Sequence, residues 1–144
     1  MNIDYKKIES LVQELDASEK IGKVRIVSHG YECSSSEEDT IKETNAYNKQ
    51  RYDLSNISAH RAYVYLVFNK FNDIVRIGQT GRSFEERWDT YVYRGCRRYS
   101  DRYYYVSEGL SVKAAKYTVV IEVVREQRLR IEGDLIDRFN PIFN

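Results

Sequence analysis

The chain has 144 residues, 42% of them hydrophobic and 31% charged, with a formal net charge of +1. That length suffices for one compact domain with its own core, and no run of 18 apolar residues suggests a membrane-spanning helix. Cys33, Cys96, His29 and His60 make neither a disulfide framework nor a zinc spacing, so two free thiols are expected and any metal would be a hard cation on carboxylates. Met1 to Glu14 mixes charges with apolar residues and lacks the pattern of a secretory signal, so a cytoplasmic location is expected. The small net charge hides an asymmetry. Residues 1–59 hold 8 Lys/Arg against 11 Asp/Glu, and residues 60–144 hold 15 against 11, with arginine supplying 12 of those 15. Arginine meets phosphate through a planar fork, so the second part leans towards nucleic acid, against a plain reading of solvated surface charge.

Ile8, Leu11, Val12 and Leu15 fall on one face of a helix over residues 5–15. Lys23 to Val27 reads as a strand, Ser34 to Asp39 as a mobile acidic loop, and residues 40–59 carry no clear period. The first 59 residues therefore read as an N-terminal extension: helix, strand and loop. At Ala62 the character changes. Ala62 to Asn69 is rich in aromatic and β-branched residues and reads as a strand, with Tyr63, Tyr65 and Val67 on one face. Asn69 to Asp73 is a turn, and Ile74 to Gln79 completes a hairpin. Ser83 with Glu86 forms a capping box that opens a helix, which Gly95 is placed to end. A short helix over Ser111 to Lys116 precedes a third strand, Tyr117 to Val124. The last helix runs from about Glu126 to Phe139, because Pro141 forbids its continuation. The expected class is α+β: a three-stranded antiparallel sheet flanked by helices, spanning residues 60–144.

Two charges sit in apolar stripes. Arg87 shares a helical face with Phe84, Trp88, Tyr91 and Val92, either reaching past the core edge or aimed into a cleft. Glu132 lies within the stripe of Leu129, Leu135, Ile136 and Phe139, where a carboxylate needs a cationic partner or a metal. Each has a plain reading as a core-edge ion pair. Together, over the sheet face that carries Tyr63 and Tyr65, they suit phosphoryl chemistry.

Four motifs in order resemble the GIY-YIG nuclease family over residues 62–144. Tyr63-Val64-Tyr65 resembles the first signature, Arg76-Ile77-Gly78-Gln79-Thr80 the second, Ser83 to Trp88 the helix with the catalytic arginine, and Glu132 to Asn144 the terminal block. Tyr63 replaces a glycine, Arg76 stands where the second tyrosine is usual, and Tyr91 stands where many members carry histidine. The resemblance implies a metal-dependent endonuclease acting on DNA, of restriction or mobile-element type. It makes Tyr65, Arg76, Arg87, Tyr91 and Glu132 catalytic: Tyr65 accepts a proton from water, Arg87 steadies the phosphate, and Glu132 holds Mg²⁺ or Mn²⁺. Arg76, Arg87 and the metal are the candidate charges that would have to lower the phenol's pKa for that. Asn140 and Pro141 would end the helix, and Asn144 would fix the C-terminal segment. Arg94, Arg97, Arg98, Arg102 and Tyr99 are candidate contacts to nucleic acid, with phosphate pairing and base stacking as the physics. A homodimer would allow a duplex break. An attenuated nucleic-acid-binding module is the alternative, and a protein-interaction surface of tyrosines a third.

Overall fold

The computed structural model describes residues 2–30, 41–56, 61–99, 102–105 and 109–144, and of these the backbone alone at 45–49, 94–99, 102–105 and 109–110. The elements are α1 (Tyr5–Ser18), β1 (Ile21–Ser28), β2 (Lys42–Gln50), β3 (Ala62–Phe68), β4 (Ile74–Thr80), α2 (Phe84–Gly95), β5 (Cys96–Tyr99), β6 (Arg102–Tyr105), α3 (Gly109–Ala114), β7 (Tyr117–Val123), a 3₁₀ turn (Arg125–Gln127) and α4 (Arg128–Phe139). The class is α+β, but the main sheet has five strands, not three. Their order is β2-β1-β7-β3-β4, every neighbouring pair is antiparallel, and β5 and β6 form a separate hairpin.

The two additional strands come from the N-terminal extension. β1 pairs with β7 from Ile21 to Ser28, so residues before position 59 are built into the sheet and its core. β2 escaped the sequence reading because KETNAYNKQ is polar and alternates weakly; as an outer strand paired on one side only, it needs no apolar face. The acidic segment Ser34–Asp39, Cys33 and His60 lie outside the described residues, as does the side chain of Cys96.

β7 is buried along its whole length because both sheet faces are covered. On one face, α1 and α4 set Ile8, Leu11, Val12, Ile131 and Leu135 against Val64, Leu66, Ile77, Val119 and Ile121. On the other, α2 and α3 set Phe84, Trp88, Tyr91, Val92 and Val112 against Tyr65, Val67, Val75 and Val120. The expected alternation in β3 is thus realised. The Asp4 carboxylate caps α1 by accepting from the Lys7 N–H at 3.1 Å. Asn69 Oδ1 accepts from the backbone N–H of Phe71 (2.9 Å) and Asp73 (3.0 Å) and closes the β3–β4 turn, in which Asn72 takes a φ of 63°. Among the described residues no helix is long and apolar enough to cross a membrane.

Candidate active site

The antiparallel register of the β3–β4 hairpin sets Tyr65 opposite Gly78 and Val67 opposite Arg76. Tyr65 is fully buried. Its ring lies directly over Gly78: a Cβ built there would stand 2.3 Å from the phenol oxygen and 2.4 Å from Cζ. The glycine of the second motif is therefore the space that the tyrosine of the first one fills. Val75 interrupts the register as a β-bulge, which re-aims the following residue. Arg76 then points towards α2, with its Nη1 donating to the Phe143 carbonyl at 3.4 Å and its buried Nε without a hydrogen-bond partner.

α2 begins as expected, with the Glu86 N–H donating to Ser83 Oγ at 3.2 Å. Phe84, Trp88, Tyr91 and Val92 turn inward, and Tyr65 meets Phe84 edge-on at 5.2 Å between ring centroids. The Tyr91 hydroxyl lies 2.7 Å from that of Tyr65. Arg87 sits at the exposed margin of this stripe, its Cζ 4.6 Å from the Tyr91 ring centroid; Arg76 Cζ lies 4.4 Å from the same centroid. Tyr91 thus carries two guanidinium groups and a hydrogen-bonded phenol.

Burial, then the charge and hydrogen bond of Tyr91, push the Tyr65 phenol well above its ordinary value, and Arg87 works against that shift without cancelling it. Arg87 alone does not bring the phenol below its ordinary value, because the ring is sealed from water and its first neighbour is another phenol. Tyr117 is raised too, by burial and by the charge of Asp4, and its hydroxyl donates to Asn72 Oδ1 at 2.5 Å. A phenol with a raised pKa contributes stability that is complete below its unfolded value of 10.0 and lost as pH climbs past it. Melting temperature is expected to drop steeply above pH about 10, and Tyr117→Phe and Tyr65→Phe to flatten the drop. Equal alkaline slopes in wild type and both variants, followed by circular dichroism, would refute the assignment.

α4 departs from the expected stripe. Ile131 and Leu135 are its inward residues, and Leu129 is 59% exposed. The helix is rotated because it packs past the edge of the sheet on β4, so Glu132 lies on its flank, half-buried, and not within the stripe. Arg87 and Glu132 come from opposite faces of the sheet and approach each other around β4. Burial raises the Glu132 pKa, and the charges of Arg76 and then Arg87 lower it in part. Among the described residues, none makes a hydrogen bond or ion pair with this carboxylate.

Asn140 ends α4 in the left-handed region (φ 46°), its N–H donating to the Ile136 carbonyl at 2.7 Å, and Pro141 follows. The Asn144 amide then pairs with Ile77, accepting from its N–H at 2.7 Å and donating to its carbonyl at 2.6 Å. Asn144 is thus a clamp on the free edge of β4.

A cleft of about 450 Å³ opens beside Arg87, lined also by Gln79, Thr80, Gly81, Arg82, Arg125 and Arg128. Topology creates it. β4 and β7 are both antiparallel to β3, hence parallel to each other, so their C-terminal ends emerge on one side of the sheet and the segments leading into α2 and α4 start there. The sequence reading missed Arg82, Arg125 and Arg128; the signal was their position just beyond the ends of two strands. The candidate contacts Arg94, Arg97, Arg98, Tyr99 and Arg102 lie outside the described side chains. Among the described residues no three His, Cys, Asp or Glu cluster to hold a metal. An unpaired, half-buried carboxylate nevertheless suits Mg²⁺, which takes one or two carboxylates and fills its octahedron with water and phosphate oxygens. No family model, curated protein or solved structure matches the chain.

Proposed function

We propose that the protein is a metal-dependent endonuclease of GIY-YIG type that hydrolyses phosphodiester bonds in DNA, with its site in residues 60–144. The observation that supports this most is the convergence of Tyr65, Arg76, Arg87, Tyr91 and an unpaired Glu132 around β4, beside a cleft lined by arginine. The Arg87 guanidinium lies over the Tyr91 ring, and the residue lines the cleft. It holds the scissile phosphate and stabilises the charge that grows on it. Glu132 holds Mg²⁺ or Mn²⁺, which when bound supplies Lewis acidity at the phosphate. Arg76 opposes the upward pull of burial on the Glu132 pKa and braces Tyr91. Tyr65, held protonated by burial, can donate to the Tyr91 oxygen and fix its direction. Tyr91, buried in the same cluster beneath Arg87, orients the attacking water. Tyr65 reaches that water through Tyr91, and its hydroxyl also meets Arg87.

The alternative, an attenuated binding module on the same fold, is favoured by one observation: the buried phenol is raised, not lowered, in pKa. Plasmid nicking in Mg²⁺ against EDTA separates the two. Metal-dependent nicking that Glu132→Gln abolishes carries the nuclease reading; tight DNA binding without nicking in Mg²⁺ or Mn²⁺ favours the module. One such site cuts one strand, so linear product would require a homodimer or two successive nicks.

Tyr91→Phe is expected to slow cleavage about 100-fold with DNA affinity unchanged, in the range of a positioned proton-handling group. It also removes the 2.7 Å contact of the buried Tyr65 hydroxyl and leaves it to Arg87, at about 1 kcal/mol of stability. A wild-type rate in this variant would reduce Tyr91 to packing.

A further inference from the structure

We propose that the arginine cleft at the ends of β4 and β7 is a second anion subsite, built by Arg125 and Arg128, that grips a phosphate next to the scissile one on the same nucleic-acid strand. The inference rests on the nuclease reading, which supplies the strand.

Charge pairing divides the described arginines into two groups, apart from Arg76, which has no ion pair and does not line the cleft. Arg25, Arg51, Arg61, Arg130 and Arg138 each form an ion pair with a carboxylate. Arg82, Arg87, Arg125 and Arg128 form none, although they line one cleft in which Glu86 supplies the single carboxylate among the lining residues. Four guanidinium groups on a shared concavity repel one another, and the repulsion is relieved by an anion of high charge density. Two of the four are also held in place. Arg128 Nε donates to Gln79 Oε1 at 3.0 Å and its Nη1 to the Arg125 carbonyl at 2.8 Å. Arg125 lies flat against Gly81, its Nη1 donating to the Gly81 carbonyl at 3.5 Å. Each keeps N–H groups for a ligand, and the fork is oriented before the ligand arrives. A Cβ at Gly81 would stand 2.9 Å from Arg125 Nη1, so this glycine gives the guanidinium its seat.

The cleft is within the size range of small-molecule sites and is lined from three segments: the end of β4, α2 and the start of α4. Arg87 stands on α2, and Arg125 and Arg128 on the far side. That spread suits consecutive phosphates of a chain better than a single free phosphate.

The test measures binding without cleavage, by fluorescence anisotropy of a short labelled DNA duplex in EDTA with the full chain. Arg125→Gln and Arg128→Gln are each expected to weaken binding about tenfold and to reduce the slope of log affinity against log salt by about one. Gly81→Ala is expected to weaken it several-fold with folding intact, because the displaced group is the end of a flexible side chain. Arg138→Gln removes the same charge elsewhere on α4, where Arg138 is paired with Glu14, and is expected to bind as wild type. Because Arg128 also ties α4 to β4, Arg125→Gln and Gly81→Ala decide the matter if Arg128→Gln melts early. Wild-type affinity and slope in those two variants would overturn the proposal. So would saturation by inorganic phosphate alone with no DNA binding. Variant-sensitive DNA binding by a chain that cuts in no divalent metal would keep the subsite and remove the nuclease reading.

Discussion

Glu132→Gln is expected to lower metal-dependent cleavage by about 10³-fold or more, several kcal/mol of transition-state stabilisation, while the protein folds normally. Gln keeps the size of the side chain and removes the charge that a divalent ion needs. No described residue pairs with this carboxylate, so no buried partner is orphaned by the change. The effect on stability has the opposite sign. Burial raises the Glu132 pKa above 4.5, and a group raised on folding contributes stability that is present below its unfolded value and lost as pH climbs. At neutral pH and without metal, the ionised carboxylate therefore costs the fold. The Gln variant is expected to melt slightly higher than wild type in EDTA, since solvent screens a half-exposed carboxylate. A structural ion-pair role for Glu132 gives the reverse result: lower melting temperature and retained cutting. Calorimetry and nicking on one preparation distinguish them.

Gly78→Ala is expected to be strongly destabilising. The added Cβ would stand 2.3 Å from the oxygen and 2.4 Å from Cζ of a fully buried ring. Tyr65 has no room to retreat, because Phe84 packs on it edge-on and Tyr91 holds its hydroxyl. Overpacking of this kind costs about 3 kcal/mol, the upper end of its usual range, and lowers the melting temperature by roughly 6–12 °C in a chain of this size. Cleavage is expected to fall with it even below the melting transition, since the Tyr65–Tyr91 pair would be displaced. Gly133→Ala is the natural comparison. Nothing lies within 4 Å of a Cβ there, inside α4, so alanine should stabilise by about 1 kcal/mol through helix propensity. If both substitutions change the melting temperature equally, the steric account of Gly78 is wrong.

These two glycines show how sequence and tertiary structure divide the information. Local chemistry is written in the chain. The Ser83 cap, the β3–β4 hairpin with its Asn69 turn, the termination at Asn140 and Pro141, and the apolar runs of β3 and β7 all depend on neighbours a few residues away. Those elements were legible and fell where expected. Leu129 was assigned to the apolar stripe of α4 and Ile131 was left out of it, because a helix whose apolar residues span a wide arc can rotate, and the docking surface on β4 decides by how much. β2 was not legible: an outer strand with polar faces has no period to read, and its partner β1 is fixed by hydrogen bonding to β7, about a hundred residues away. Arg87, Glu132 and Tyr91 were visible as individual oddities. Their meeting around the edge of β4, with the phenol of Tyr65 raised by burial and Arg125 and Arg128 beside them, comes from strand order alone. Sequence determined which side chains have chemistry to offer; the antiparallel stacking of β7, β3 and β4 decided which of them share a cleft, because it brings the ends of β4 and β7 out on one side.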